Sequence, residues 1–237
     1  MKRCVGVLFA LFLLAGVGTA QAGSILYFND FSVGTDRMAA ALAAVSGTHT
    51  TTVASSTADF ATQLAGGGFD LAIFFQQNSS GAGFDAAFAA LATFIGGGGA
   101  AIADDWTHNN AHAAAFGATF TGGINQNQFT VTDPGLAAGL GNPVNLTNPG
   151  WGVFATDMGG SAMAVFPNLA AAIVSGNGGR TLFNGFLGDT FSDGAEGTQL
   201  YINEIGAVLG TPVPEPASLL LFGLGTLAAV RARRRTA

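Results

Sequence analysis

The residues with the clearest capacity for chemistry lie in one short stretch: Asp104, Asp105, Trp106, His108 and His112. The two histidines are four residues apart, so on a helix both imidazoles would share one face beside two carboxylates, a set that could hold zinc or a similar divalent ion. The stretch lacks the glutamate of the His-Glu-x-x-His motif, and no partner that would orient either imidazole is evident. We therefore expect no bound metal or other cofactor, and interpret the stretch as a polar loop in which Asp105 or Thr107 caps a helix.

The two adjacent carboxylates are also candidates for the acid and base of a glycosidase. Pairs of that kind need a separation of several ångströms, whereas the side chains of adjacent residues usually diverge. Our alternative to a non-catalytic function is therefore a metal- or carboxylate-dependent hydrolase of envelope carbohydrate that uses the cluster from Asp104 to His112.

Other catalytic and binding motifs are weak in this sequence. The single cysteine is Cys4, no histidine follows His112, and no serine stands in a Gly-x-Ser-x-Gly motif, so we predict no catalytic residue. The acids of residues 188–197 could bind calcium, but their spacing is not that of an EF-hand and a solvated turn is the simpler interpretation. Trp106 and Trp151 could stack on sugar rings or fill the core, and the sequence does not decide between these.

Alternating apolar runs and helical stripes predict the elements that position these residues. Runs at 24–30, 50–53, 69–75 and 100–103 are typical of strands, and stretches with helical spacing separate them. We therefore predict an α/β fold, a three-layer sandwich around a mainly parallel sheet. From residue 119 onward, short runs between Gly, Asn and Pro turns predict an antiparallel extension. A final helix at 199–209 is expected to turn Ile202, Ile205 and Leu209 inward.

The predicted sheet also predicts where a ligand would bind. In an open α/β sheet the ligand crevice lies at the carboxyl ends of the strands. Five residues fall at those ends and form the candidate crevice: Asp30, Gln76, Asp104, Asp105 and Trp106.

The N-terminal segment indicates where the protein is sent, and the charge of the domain limits which partners it can bind. Residues 1–22 combine a basic start, an apolar run and an Ala-Gln-Ala site, which is typical of a secretory signal peptide. Residues 23–210 then form one exported domain with thirteen acids and two arginines, a formal net charge of −11. Such a surface repels nucleic acid, which we exclude as a partner, and tolerates neutral polysaccharide and cations better.

The C-terminal segment has three consecutive parts. A linker at 211–216 contains a Pro-Glu-Pro triplet, which proline keeps extended and accessible. An apolar run at 217–230 predicts a short transmembrane helix in the inner membrane, and the basic tail at 231–237 is expected to stay in the cytoplasm. The residues of the triplet and of the membrane stop signal are Pro214, Glu215, Pro216, Arg231, Arg233, Arg234 and Arg235.

This tail resembles the PEP-CTERM protein-sorting segment of Gram-negative bacteria. The resemblance implies recognition by an exosortase, a membrane enzyme that cleaves near the triplet and passes the protein outward. It also implies export across the inner membrane, anchoring in the periplasm, and then a place at the cell surface or outside the cell.

The exported domain resembles the class I glutamine amidotransferase-like fold, a flavodoxin-like sandwich. The segments that carry the likeness are VTDPGLAAGL at 131–140 and GRTLFNGFLG at 179–188. Amidotransferases of that group place a cysteine after a central strand, whereas the corresponding strand here ends in Asp104 and Asp105, so glutaminase activity is not expected. The missing cysteine favours a non-catalytic protein, and the resemblance of the tail implies an envelope or biofilm-matrix protein that binds or scaffolds near extracellular polysaccharide.

Overall fold

The first half of the domain alternates strands with helices, as predicted. The computed structural model describes residues 22–210. Strands β1, β2, β3 and β4 pair in parallel in the order β2-β1-β3-β4. The elements of this half are β1 (Ser24–Asn29), α1 (Arg37–Ala44), β2 (Thr50–Val53), α2 (Thr57–Gly66), β3 (Leu71–Gln76), α3 (Ala82–Gly96) and β4 (Ala100–Asp105).

The second half adds mostly antiparallel strands. The first short helix here, α4 (Asn110–Ala114), is followed by seven strands: β5 (Thr119–Ile124), β6 (Gln128–Val131), β7 (Val144–Asn145), β8 (Thr156–Gly159), β9 (Ser161–Val165), β10 (Ala171–Gly176) and β11 (Thr181–Asn184). Strand β11 lies parallel to β4, which completes the flavodoxin-like order of five strands. Beyond it, β10, β9, β6 and β7 continue the sheet, and β8 and β5 branch from β10.

The prediction of a mainly parallel sheet is wrong for the described sheet as a whole. Four of its ten strand pairings are parallel and six are antiparallel. The reason is the length of the connections, because parallel neighbours need a crossover of a dozen or more residues. The turn between β9 and β10 has only five residues, which allows an antiparallel return.

Helices cover both faces of the parallel half and make it a three-layer sandwich. On one face α1 and the closing helix α5 (Gly194–Leu209) pack on Ile25, Tyr27 and Ile73. On the other face α2, α3 and α4 pack on Leu26, Phe28 and Phe74. The two sets of strand residues alternate along the chain because successive side chains of a strand point to opposite faces. We call these the α5 face and the α3 face.

The closing helix begins earlier than predicted and turns a different stripe inward. Asp193 caps it by accepting the backbone N–H groups of Ala195 and Glu196, so part of the predicted glycine-rich turn is the first turn of α5. Ile205 is buried as predicted, but Ile202 and Leu209 are only partly buried. The buried stripe also contains Leu200, Tyr201, Glu204 and Val208.

Several sequence predictions concern residues outside the described range. These are the signal peptide except for Ala22, the linker at 211–216, the transmembrane helix at 217–230 and the basic tail at 231–237. Between residues 22 and 210, no helix has the length and apolar character needed to span a bilayer.

Candidate functional site

All five predicted crevice residues lie at or just beyond the carboxyl ends of β1, β3 and β4. The strand order reverses between β1 and β3, which is the usual ligand position in this kind of sheet. Four of the five side chains hold loops in place. The fifth, Asp104, is 1% exposed.

Asp30 fastens the loop that follows β3. Its carboxylate accepts the backbone N–H groups of Gln77 at 2.6 Å, Asn78 at 3.2 Å and Ser79 at 2.6 Å. Three backbone donors use most of the hydrogen-bonding capacity of one carboxylate. Asp30 therefore shapes the crevice and has little capacity left for a ligand.

Gln76 and Trp106 meet on the same loop. The Gln76 side-chain amide and the Trp106 indole N–H each donate to the carbonyl oxygen of Ser79 at 2.8 Å. The Gln76 side chain is buried, whereas Trp106 is half-buried. Trp106 is thus held at the edge with part of its ring accessible.

Asp105 belongs to a hydrogen-bonded network on the α3 face, which we call the paired network: Asp105, Thr107, Asn109, His112 and Asp85. Asp105 accepts from the Thr107 hydroxyl at 2.6 Å, the Thr107 backbone N–H at 2.7 Å and the Asn109 backbone N–H at 3.1 Å, and it contacts His112 Nδ1 at 2.9 Å. His112 Nε2 lies 3.0 Å from Asp85, and the imidazole stacks on the Phe88 ring. Burial lowers the pKa of His112, but the hydrogen bonds and charges of Asp105 and Asp85 outweigh this and raise it above the usual value.

The two histidines do not share a helical face, which the metal-site alternative would require, and the predicted cap is wrong. Helix α4 begins at Asn110 and is capped by Asn109, not by Asp105 or Thr107. His108 lies before the helix with a φ of 55°, and its Nε2 contacts the Thr156 hydroxyl at 2.7 Å. The left-handed backbone at His108 turns its side chain toward β8 while His112 turns toward α3. Among residues 22–210 no group of three or more His, Cys, Asp or Glu side chains is placed to hold a metal.

Asp104 points to the α5 face, opposite to Asp105. Strand register places it beside Asn184 on β11, and the Asn184 amide donates to Glu204 of α5 at 3.2 Å. Burial, followed by the charges of Asp30 and Asp105, raises the pKa of Asp104 well above its usual value. Burial also raises the pKa of Glu204 to about 8, although its hydrogen bond with Asn184 acts in the opposite direction.

The sequence analysis did not identify Glu204, Tyr201 or Asn184 as members of this cluster. A helical stripe of positions 201, 204, 205 and 208 would have marked Glu204 as an inward-facing acid. Asn184 ends a short apolar run in the same way that Asp104 does. Their meeting could not be predicted, because it depends on β11 lying beside β4.

An aromatic rim lies above the ends of β1 and β3. Phe31 is 44% exposed, and its ring packs edge-on against Trp151 with the centroids 5.5 Å apart. The Trp151 indole N–H donates to Asp189 at 3.1 Å, and the same carboxylate accepts the backbone N–H of Val33. The Gln77 amide donates to the carbonyl oxygen of Phe31 at 3.0 Å, which ties the rim to the sheet. We define the aromatic rim as Phe31 and Trp151.

A comparison with protein families identifies the C-terminal segment. Residues 212–235 match the family model of the PEP-CTERM protein-sorting motif. The chain carries a PEP-CTERM sorting motif. This match confirms the predicted resemblance of the C-terminal segment, and the PEP-CTERM motif marks the chain as an exported protein sorted by an exosortase-type enzyme.

Two further comparisons concern the rest of the chain. A search of curated proteins found no match. A solved structure of a putative GMP synthase subunit from Thermoplasma acidophilum aligns with a TM-score of 0.45 and 13% sequence identity. The alignment covers 81% of this chain and 96% of the other chain.

Proposed function

We propose that the exported domain is a non-catalytic module of the cell envelope or biofilm matrix that binds neutral extracellular polysaccharide at its aromatic rim. The observation that carries this proposal is the Phe31–Trp151 pair, which is held on the carboxyl edge by Asp189. Sugar rings have C–H faces that pack on aromatic rings, and an indole fixed through its N–H offers such a surface with little loss of side-chain entropy.

The charge of the domain supports a neutral glycan over an anionic one. Residues 23–210 contain thirteen acids and two arginines. Arg180 donates to the carbonyl oxygens of Asn177 and Gly99. An acidic polysaccharide would meet repulsion at this surface, whereas a neutral one would not.

The arrangement of the predicted catalytic cluster supports a binding role over a hydrolase. Asp104 and Asp105 face opposite sides of the sheet, so they do not form an acid and base pair across one substrate. His112 is buried between two carboxylates, and His108 is bound to Thr156. The residues of the hydrolase alternative are therefore divided between separate surroundings.

A direct binding measurement tests the glycan proposal. Affinity electrophoresis of the full chain in gels that contain neutral exopolysaccharide from its host should show retardation. Trp151→Ala and Phe31→Ala should each weaken binding about tenfold, the effect of losing one aromatic contact. Leu169→Ala is the matched control, because Leu169 is an 81% exposed apolar side chain outside the rim. Equal retardation of all four proteins, or none, would contradict the proposal.

We further propose that residues 217–230 anchor the protein in the inner membrane until the sorting enzyme cuts near Pro214 to Pro216. The PEP-CTERM match and the arginines after the apolar run support this order of events. Intact masses of the protein from membrane, surface and medium fractions of the host test it. A surface form that ends near the triplet is expected, and a surface form that keeps Ala237 would contradict cleavage.

A further inference from the structure

Unpaired buried oxygens are concentrated at one end of the described sheet. Within residues 22–210, seven buried side-chain atoms have no hydrogen-bond partner, and all seven are oxygens. Buried polar groups in folded proteins are nearly always paired, so a concentration of this kind calls for an explanation, of which a bound ion is one. The atoms are both carboxylate oxygens of Asp104 and one oxygen each of Gln76, Gln77, Asn184, Tyr201 and Glu204.

Three structural elements bring five of these seven oxygens together on the α5 face. Asp104 of β4 and Asn184 of β11 are neighbours in the strand register. Glu204 is joined to Asn184 by a hydrogen bond through one carboxylate oxygen, which leaves the other unpaired. Tyr201 precedes Glu204 by three residues on α5, so the two side chains lie on one helical face.

Gly188 places a further oxygen, that of the Gln77 side chain, in the same cluster. A Cβ atom at Gly188 would lie 3.0 Å from the Tyr201 hydroxyl and 3.3 Å from the Gln77 carboxamide oxygen. The two oxygens therefore both lie close to the position of Gly188. The Tyr201 hydroxyl could donate a hydrogen bond to an oxygen of the cluster, but none accepts one from it. The oxygens are thus close together without pairing directly.

The chemistry of this set points to a hard cation. Gln76 is left out, because successive side chains of β3 alternate between the faces and its neighbour Phe75 lies on the α5 face. The other five residues supply two carboxylates, two carboxamide oxygens and one phenol oxygen, with no unpaired nitrogen or sulfur atom. Calcium binds carboxylate and carbonyl oxygens, whereas zinc and copper favour imidazole and thiolate. Two carboxylates also balance the charge of one divalent ion, which offsets the cost of burying them.

The two arginines in the described part of the chain do not supply the positive charge that would balance Asp104 and Glu204. Arg180 donates to the carbonyl oxygen of Gly99, which precedes the amino end of β4, whereas Asp104 lies at the carboxyl end of this strand. Arg37 lies against Gly194 at the start of α5. The charged groups that act on the Asp104 carboxyl are themselves acids, namely Asp30, Asp105 and Asp189.

We propose that Asp104, Glu204, Asn184, Gln77 and Tyr201 bind one calcium ion between the sheet and α5. This inference is independent of the glycan proposal, because it rests on the interior of the α5 face and not on the aromatic rim. The ion would join α5 to β4 and β11, and its exchange requires α5 to separate from the sheet because the oxygens are buried.

Metal content and stability test this site directly. The full chain, purified in detergent, is unfolded and refolded with EDTA or with calcium chloride, then freed of unbound ions. We expect about one calcium per chain by elemental analysis and a melting temperature several degrees higher than in EDTA. Glu204→Gln and Asp104→Asn should each reduce bound calcium at least tenfold and remove the temperature shift.

A matched variant and a second ion make the outcome decisive. Asp157→Asn also removes a buried carboxylate, but one bonded to Gln126 and Asn168, and should retain calcium and the shift. Circular dichroism checks that each variant is folded. Absence of calcium from the refolded wild-type chain, retention of calcium by both acid variants, or a shift with magnesium but not calcium would each overturn the proposal.

Discussion

Asp104 and Asp105 are adjacent in the chain, yet they lie in opposite chemical surroundings. On the α3 face, Asp105 contacts Thr107, Asn109 and His112 through hydrogen bonds. On the α5 face, neither carboxylate oxygen of Asp104 makes a hydrogen bond of normal geometry, and the nearby backbone N–H of Gln76 only partly offsets the effect of burial on its pKa. Both side chains are almost fully buried, so burial alone does not explain the difference.

The difference lies in what covers each face. The α3 face is closed near Asp105 by the loop that leads into α4, and loop residues bring hydroxyl and backbone donors. The α5 face is closed by the middle of a helix, whose backbone N–H groups are already used within the helix. An acid beneath a helix therefore receives only what the side chains of that helix offer, here Tyr201 and Glu204.

The largest effect is expected from removing the histidine of the paired network. His112→Ala leaves the buried Asp105 carboxylate without its cationic partner and should lower the free energy of unfolding by about 3 kcal/mol. Urea denaturation at pH 6 measures this value. His108→Ala is the matched control and should cost about 1 kcal/mol, because it loses one hydrogen bond. Equal losses in the two variants would show that the paired network contributes no more to stability than a single hydrogen bond.

On the α5 face, replacing the buried Glu204 is expected to increase stability in the absence of calcium. The folded-state pKa of Glu204 is about 8, above the 4.5 of an ordinary glutamate. The contribution of its bound proton to stability is complete below pH 4.5 and is lost as the pH rises through about 8. In EDTA at pH 8, Glu204→Gln should therefore raise the free energy of unfolding by about 2 kcal/mol. Urea denaturation between pH 5 and pH 9 measures it, and a variant that loses stability as steeply as the wild type would contradict the assignment.

The two histidines of one short stretch should titrate in opposite directions from the ordinary value of 6.5. The pKa of His112 is raised, so its contribution to stability is present below pH 6.5 and is lost as the pH rises through its folded pKa. Burial lowers the pKa of His108, so its contribution is present above pH 6.5 and is lost as the pH falls through its folded pKa. NMR titration of the two imidazoles measures both values, and a shared midpoint would contradict the separate surroundings.

The smallest effect is expected at the exposed end of the paired network. Asp85 is 65% exposed where it meets His112, so water competes with this contact. Asp85→Asn should lower the free energy of unfolding by less than about 1 kcal/mol. Urea denaturation of the wild type, Asp85→Asn and Asp85→Ala measures the free energy of unfolding of each. A loss as large as that of His112→Ala would mean that Asp85, and not Asp105, is the main partner.

Much of the first half of the fold could be predicted, because its signals are local. Continuous apolar runs marked β3 and β4, and helical spacing marked α3, so the order of elements and the position of Asp30, Gln76 and Asp104 at strand ends followed. The inward stripe of α5 was predicted less well, since Tyr201 and Glu204 carry polar atoms and are not recognised as core residues by an apolar pattern.

The sequence by itself determined the sorting motif, the alternation of elements and the placement of acids at the carboxyl edge, because each depends on residue types within a short window. Only the tertiary structure decided which face each acid occupies and what it meets there. Asp104 and Glu204 are a hundred positions apart in the chain, and they come together because β11 pairs with β4 and α5 packs across both. Such a contact depends on the packing of distant elements, which no local pattern specifies.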